Sequence, residues 1–173
     1  MAQQRRTHDA YTGRSGQMAV MAELLLQHCN VAIPEVDVGT DVFAFHDARE
    51  EVARVQVKTA QAKRYKQGQG YAAQFSIPVK QLERPNRPPL YYVLAVRLEG
   101  QYVDFLVIGR ARLNDYWNGP QRFGSMSQGE TLILNVQFRD QVLCGEVDLS
   151  DYRNAWTVLP PLRPLPAIPE ESA

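Results

Sequence analysis

An acid, an amide and an amine stand at a spacing that suits phosphodiester chemistry. Asp41 opens an apolar run in VDVGTDVF, and the triplet Gln56-Val57-Lys58 follows fifteen residues later inside VARVQVKTA. Cleaving a phosphodiester needs a nucleophilic water, stabilisation of charge on the phosphate and help for the leaving oxygen. Hard cations such as Mg²⁺ or Mn²⁺ supply much of this and prefer oxygen ligands, so a carboxylate is their natural anchor. Asp41 can be that anchor, with the Gln56 amide oxygen and the Val57 backbone carbonyl as further metal ligands. Lys58 can orient the water or offset phosphate charge. The Gln56 amide is neutral, so the site should hold a cation more weakly than one with a second carboxylate. Asp37 lies four residues before Asp41, about 13 Å away in an extended strand. Only a bend at Gly39, which glycine permits, brings it in as a further ligand.

These residues need two neighbouring strands and a helix to position them. Residues 42–45 read as one strand and 52–58 as the next, joined through the turn HDAREE. In the second strand Ala53, Val55 and Val57 share one face while Arg54, Gln56 and Lys58 share the other. That alternation sets Gln56 and Lys58 side by side. Residues 15–29 read as a helix with Met18, Met21, Leu24, Leu25 and His28 on one stripe, capped by Thr12 or Ser15. Gln17 then projects from the buried side of its first turn. His28, on the stripe, reads as a core residue and not as a ligand, and no histidine or cysteine has metal-ligand spacing to another.

Further along, residues 71–77 read as a strand and Pro78 opens a short helix. LYYVLAVRL and QYVDFLVI form a hairpin across Glu99-Gly100, ARLNDYW a short helix, and TLILNVQF and VLCGEV two more strands. A leading helix, a strand-rich middle and short later helices predict an α/β fold with a mixed sheet. The expected organisation is a flexible arm over residues 1–10, a single domain over 11–158, and a proline-rich disordered tail over 159–173.

At 173 residues, the chain can bury a core within one domain. No run approaches the ~18 apolar residues of a membrane helix, and the start MAQQRRTHDA has no apolar signal core, so a cytoplasmic location is expected. Cys29 and Cys144 read as buried free thiols. Net charge is zero, but it is unevenly spread. Eight Lys and Arg stand against Glu83 between Arg54 and Pro89, and seven acids against Arg49 between Glu23 and Glu51. Such neighbouring blocks suit a cation site beside phosphates, or else two oppositely charged solvated faces. Within the basic block, Lys63, Arg64 and Lys66 can track a nucleic-acid backbone with Tyr65 stacking on unpaired bases; the plainer reading is a solvated loop.

The segments GRSGQMAVMAELLLQHCN, PEVDVGTDVF and VQVKTA resemble the PD-(D/E)XK nuclease superfamily, nearest its Holliday-junction-resolvase-like branch. That branch includes bacterial domains with D-x-G-x-D followed by a Q-V-K triplet. The resemblance covers roughly residues 11–60. It implies a restriction-endonuclease-like core, a mixed central sheet flanked by helices with extra C-terminal strands. It also implies a Mg²⁺- or Mn²⁺-dependent endonuclease acting on DNA in defence or DNA processing, with dimers common among relatives. Asp41 and the residue at 56 become metal ligands and Lys58 the catalytic lysine. Many relatives carry a Glu after a Gly in the leading helix, where Gln17 follows Gly16 here. Amides therefore stand at two positions where carboxylates are expected. The alternative is a catalytically impaired nuclease-fold module that binds nucleic acid or a protein partner. Nothing in the chain separates DNA from RNA.

Overall fold

The computed structural model describes residues 2–36, 39–84, 89–127 and 129–164, with side chains from residue 10 onward. A long helix α1 (Ala2–Leu26) is followed by β1 (Asn30–Ala32), β2 (Val42–Phe45) and β3 (Val52–Gln61). Next come β4 (Lys63–Arg64), β5 (Tyr71–Pro78), α2 (Val79–Leu82), β6 (Leu90–Leu98) and β7 (Gln101–Gly109). After α3 (Arg110–Asn118), the chain closes with β8 (Ser125–Ser127), β9 (Thr131–Phe138), β10 (Val142–Cys144), β11 (Val147–Asp148) and three short 3₁₀ turns.

The central sheet has the order β1-β2-β3-β6-β7. Its β3–β6 pair is parallel and its other pairs are antiparallel, so the sheet is mixed as expected. Sequence dictates β6 as its middle: LYYVLAVRL is apolar nearly throughout and buried on both faces, as a doubly covered strand must be. On one face α1 packs through Val20 and Leu24 against Val55, Val57, Val93 and Val107. On the other, a second and wholly antiparallel sheet, β11-β10-β9-β5-β4 with β8 beside β9, meets the first through Leu94, Leu106, Phe75, Leu132 and Leu134. Val79 and Leu82 of α2 and Leu113 of α3 join this core at its edge. The result is a mixed α/β core with α1 on one face of the central sheet and the second sheet, edged by α2 and α3, on the other, in keeping with a restriction-endonuclease-like core.

Several local expectations are corrected. The segment expected as a flexible arm is helical from Ala2, so neither Thr12 nor Ser15 caps the helix. Ser15 Oγ instead donates to the Thr12 carbonyl at 2.9 Å. Gln and Arg are good helix formers, and apolar periodicity marks only the packed part of a helix. The buried stripe is also rotated. Gly16, Val20 and Leu24 are buried at i, i+4, i+8, while Met18 and Leu25 are 44% and 54% exposed. Gly16 decides this: a Cβ there would meet Thr59 Oγ1 of β3 at 1.8 Å, so only glycine lets the helix lie this close. His28 is exposed, in a left-handed turn (φ +60°) past the helix end, and is not a core residue. The ordered chain continues beyond residue 158, with Leu159 and Pro161 buried. The rest of the expected tail, 165–173, lies outside the described residues. No helix among them is long and apolar enough to cross a membrane.

Candidate active site

The site forms where β2 and β3 part. Their backbone register runs from Phe45↔Val52 to Val42↔Val55, and the Asp41 N–H still reaches the Val55 carbonyl at 2.8 Å. Beyond that point the Asp41 side chain takes over. Its Oδ2 accepts the Val57 N–H at 2.6 Å and the Gln56 Nε2–H at 2.5 Å. A carboxylate here does for β3 what the next backbone carbonyl of β2 would have done, with stronger, charge-assisted bonds. Because a strand residue points its N–H and C=O to the same neighbour, the Val57 carbonyl faces the edge occupied by Asp41.

Gln17 closes the site from α1. Its Nε2 donates to the Asp41 backbone carbonyl at 2.5 Å, and its Oε1 accepts from Arg14 Nη1 at 2.5 Å. The close approach allowed by Gly16 is what brings the next residue within reach of β2. Gln17, Asp41, Gln56 and Val57 are therefore brought together. Lys58 is half-buried on the same face of β3 as Gln56. Asp37 lies outside the described residues; Gly39, the bend on which its role depends, has φ +94°.

A divalent ion finds the right kind of donor here. The Asp41 carboxylate, the Val57 carbonyl and the Gln56 amide oxygen are hard oxygen ligands on one edge of β3. As bonded, Gln56 turns its NH₂ to Asp41, and its Oε1 lies 3.8 Å from where a Gly39 side chain would start. Turning the amide over presents the oxygen. Among the described residues no three of His, Cys, Asp and Glu group as a metal cluster, and Asp41 is the charged donor of this set. The donor set fits a hard cation in kind and attracts it weakly.

The basic residues near the site differ in part from those expected. Lys63 and Arg64 sit in β4, seven and eight residues beyond Gln56, up to about 23 and 26 Å of extended chain. Arg64 is engaged by Glu99, Nε to Oε1 at 2.6 Å and Nη2 to Oε2 at 3.1 Å. Tyr65 has the Arg139 guanidinium over its ring at 4.4 Å. That face is not open for a base. Lys66 follows in the exposed turn beside them.

Beside Asp41 and Gln56 stand three other arginines. Arg54 shares the Gln56 face of β3, and its Nε and Nη2 donate to the buried Thr40 Oγ1 at 3.1 and 3.0 Å. Arg84 follows α2, its Nη1 3.9 Å from the Cβ position of Gly39. Arg110, 4% exposed, opens α3 and donates from Nη1 to the Gln81 carbonyl at 3.5 Å. Burial and the fields of Arg54 and Arg84 hold its pKa below the usual guanidinium value, against the raising effect of Tyr92. Tyr92 lies level with Gln56 on β6, and its hydroxyl donates to Gln81 Oε1 at 3.4 Å. Burial pushes its pKa up to about 12, with Arg110 and Arg84 opposing and Asp41 adding to the rise. Sequence reasoning missed Arg110, Tyr92 and Thr40. The one available signal was that Arg110 continues the buried face of Leu106 and Ile108, an odd place for a cation.

No protein-family profile matches the chain, and no curated protein matches it in sequence. Among solved structures it is similar to a bacterial homing endonuclease, at 19% identity and a TM-score of 0.45, over 85% of this chain and 87% of that one.

Proposed function

We propose that this protein is a metal-dependent endonuclease of the PD-(D/E)XK kind, hydrolysing phosphodiester bonds of DNA in defence or DNA processing. The observation that carries the reading is the convergence of the Asp41 carboxylate, Gln56 and the Val57 backbone at one strand seam, with Lys58 on the Gln56 face. Asp41, the Gln56 amide oxygen and the Val57 carbonyl would hold Mg²⁺ or Mn²⁺. The cation's chemistry is to polarise the phosphate and sharpen a water nucleophile. Gln17 holds the Asp41 backbone in place, and Lys58 supplies a positive charge for the phosphate or the attacking water. Purified protein should nick plasmid, single-stranded or branched DNA with Mn²⁺, and Asp41→Ala should abolish it. No cleavage of any of these at high protein concentration, or cleavage indifferent to Asp41→Ala, ends this reading. An RNA substrate arm belongs in the same assay, as does the oligomeric state, since the resemblance implies a homodimer.

A second reading is favoured by one particular observation. Both amides spend their NH₂ groups on Asp41, Gln56 on its carboxylate and Gln17 on its backbone carbonyl, and the Val57 N–H joins Gln56 on Oδ2, so the carboxylate is bonded without a metal. The chain would then bind nucleic acid, or a protein partner, on a nuclease scaffold without turnover. Nucleic-acid binding that falls steeply with salt and is unchanged by EDTA, with no cleavage, would establish it.

A further inference from the structure

A cavity of about 450 Å³ opens where β7 ends and α3 begins, lined by none of the residues of the candidate active site. That volume suits a small molecule. One wall is the first turn of α3. The helix has nine residues, and Gly109 at its cap has no side chain to bond the first-turn N–H groups. A helix leaves those groups without partners of its own, and they carry the positive end of its dipole. Ala111 and Arg112 of that turn line the cavity. The independent observation is Tyr91. It is 9% exposed, yet no hydrogen bond among the described residues reaches its hydroxyl. The Tyr65 and Tyr71 hydroxyls also lack a partner but are fully enclosed; that of Tyr91 is not, and Tyr91 lines the cavity. Gly109 stands opposite Tyr91 on β7, where a Cβ would lie 3.8 Å from the ring, so glycine leaves the ring edge open. A buried phenol normally has a hydrogen-bond partner. Here the partner is left for a ligand to supply.

Two arginines frame the opening, Arg112 from α3 and Arg163 from the C-terminal segment. The Arg112 guanidinium lies 5.9 Å from the Tyr116 ring centroid, and Arg163 Nη2 donates to the Val158 carbonyl at 3.5 Å. Asp115 is the one acid of the lining. Helix N–H groups, a phenol donor and two arginine forks form a donor set that matches the oxygens of a phosphate. A bare phosphate would leave much of the volume unfilled. The remaining walls are apolar, the Tyr91 and Tyr152 rings with Val158. Tyr152 is fixed by its hydroxyl against that of Tyr116 at 3.0 Å. A flat ring packs well on such walls, and Asp115 can accept from an N–H or O–H that the ligand carries.

We propose that this cavity binds a nucleotide, with its phosphate at the start of α3 among Tyr91, Arg112 and Arg163. Strands β3 and β7 are two spacings apart, about 10 Å. The nucleotide site thus neighbours the Asp41–Gln56 seam and shares no residue with it, and it stands whether or not that seam holds a metal.

The test is calorimetric titration of the common nucleoside 5′-monophosphates into the full chain in EDTA. Wild-type protein should bind at least one of them saturably, and more tightly than it binds the matching nucleoside or inorganic phosphate. Arg112→Gln, at an exposed position, should weaken that binding by about tenfold or more, the loss of one charge-assisted contact. Tyr91→Phe should weaken it too, yet melt no lower than wild type, because its hydroxyl has no partner to lose in the free protein. Asp41→Ala should leave it unchanged. An oligonucleotide that competes for the site identifies a nucleic-acid strand as the source of the nucleotide; one that does not compete identifies a free mononucleotide. Failure of every monophosphate to saturate, or equal binding by wild type, Arg112→Gln and Tyr91→Phe, overturns the proposal. So does a nucleoside or inorganic phosphate that binds as tightly as the nucleotide. A failed DNA-cleavage assay with nucleotide binding intact removes the nuclease reading and leaves this site standing.

Discussion

Gln56→Glu converts a hydrogen bond into a like-charge contact, and its consequences can be worked out beforehand. Gln56 is 7% exposed and its Nε2 lies 2.5 Å from Asp41 Oδ2. The substitution deletes that donor and sets a second carboxylate against the first. Two unit charges roughly 4 Å apart at an effective dielectric near 20 repel by about 4 kcal/mol, or roughly 3 pH units of displaced titration. The pair would share one proton, so the second ionisation in the folded chain moves well above the ordinary glutamate value of about 4.3. The sign follows. A carboxyl whose folded pKa is raised leaves stability intact below its unfolded pKa and erodes it as pH climbs toward the folded pKa. The variant should therefore match wild type near pH 4 and fall progressively behind by about pH 7. At roughly 2–4 °C per kcal/mol for a chain of this size, the gap reaches about 8–16 °C. Millimolar Mn²⁺ should close it by occupying the carboxylate pair, while wild type gains little. Thermal melts in EDTA and in Mn²⁺ across that pH range read the whole effect without any substrate. A variant that melts with wild type at every pH, or whose deficit no divalent ion repairs, would refute the convergence of positions 41 and 56 on a cation site.

Three other outcomes are expected. Gly16→Ala gains up to ~1 kcal/mol of helix propensity but drives a methyl to 1.8 Å from Thr59 Oγ1 and 2.9 Å from its Cβ. Overpacking of about 1–3 kcal/mol should win, so a urea midpoint equal to or above wild type would contradict the packing. Arg153→Ala strands the Asp104 carboxylate at 2% exposure. Discounting for the half-exposed arginine, the loss should be roughly 2–3 kcal/mol, and a change under about 0.5 kcal/mol in chemical denaturation would dismiss the pair as a stabilising element. Cys144 is fully buried, with its thiol pushed up to about 11 by desolvation. Its labelling by a disulfide reagent at pH 8 should wait for unfolding, and prompt labelling of the native chain would show the site to be open.

How much of this was written in the chain differs element by element. The apolar run LYYVLAVRL and the Glu99-Gly100 turn mark their strand and hairpin almost to the residue, and the alternation of residues 52–58 marks the start of β3, which runs on to Gln61. Each depends on contacts between near neighbours in sequence, and both turn residues take the positive φ such a turn needs. The meeting of Asp41 with Gln56 was legible for the same reason: adjacent antiparallel strands pair through a short turn, so their register is a local matter. The helix face was misjudged because hydrophobicity favours Met18, whereas steric fit against Thr59, forty-three residues away, selects Gly16. Which cations lie near the seam was likewise hidden. Arg64 and Lys63 are close to Lys58 in sequence but lie in β4 of the second sheet, where Arg64 pairs with Glu99. Arg110 comes from the end of β7, where α3 begins, and Arg84 from the end of α2. Alternation tells each residue its face, but only the order of strands in a sheet, and what covers that sheet, decide which distant side chains share it. Those choices are made by long-range packing of the whole core, and no window of neighbouring residues contains them.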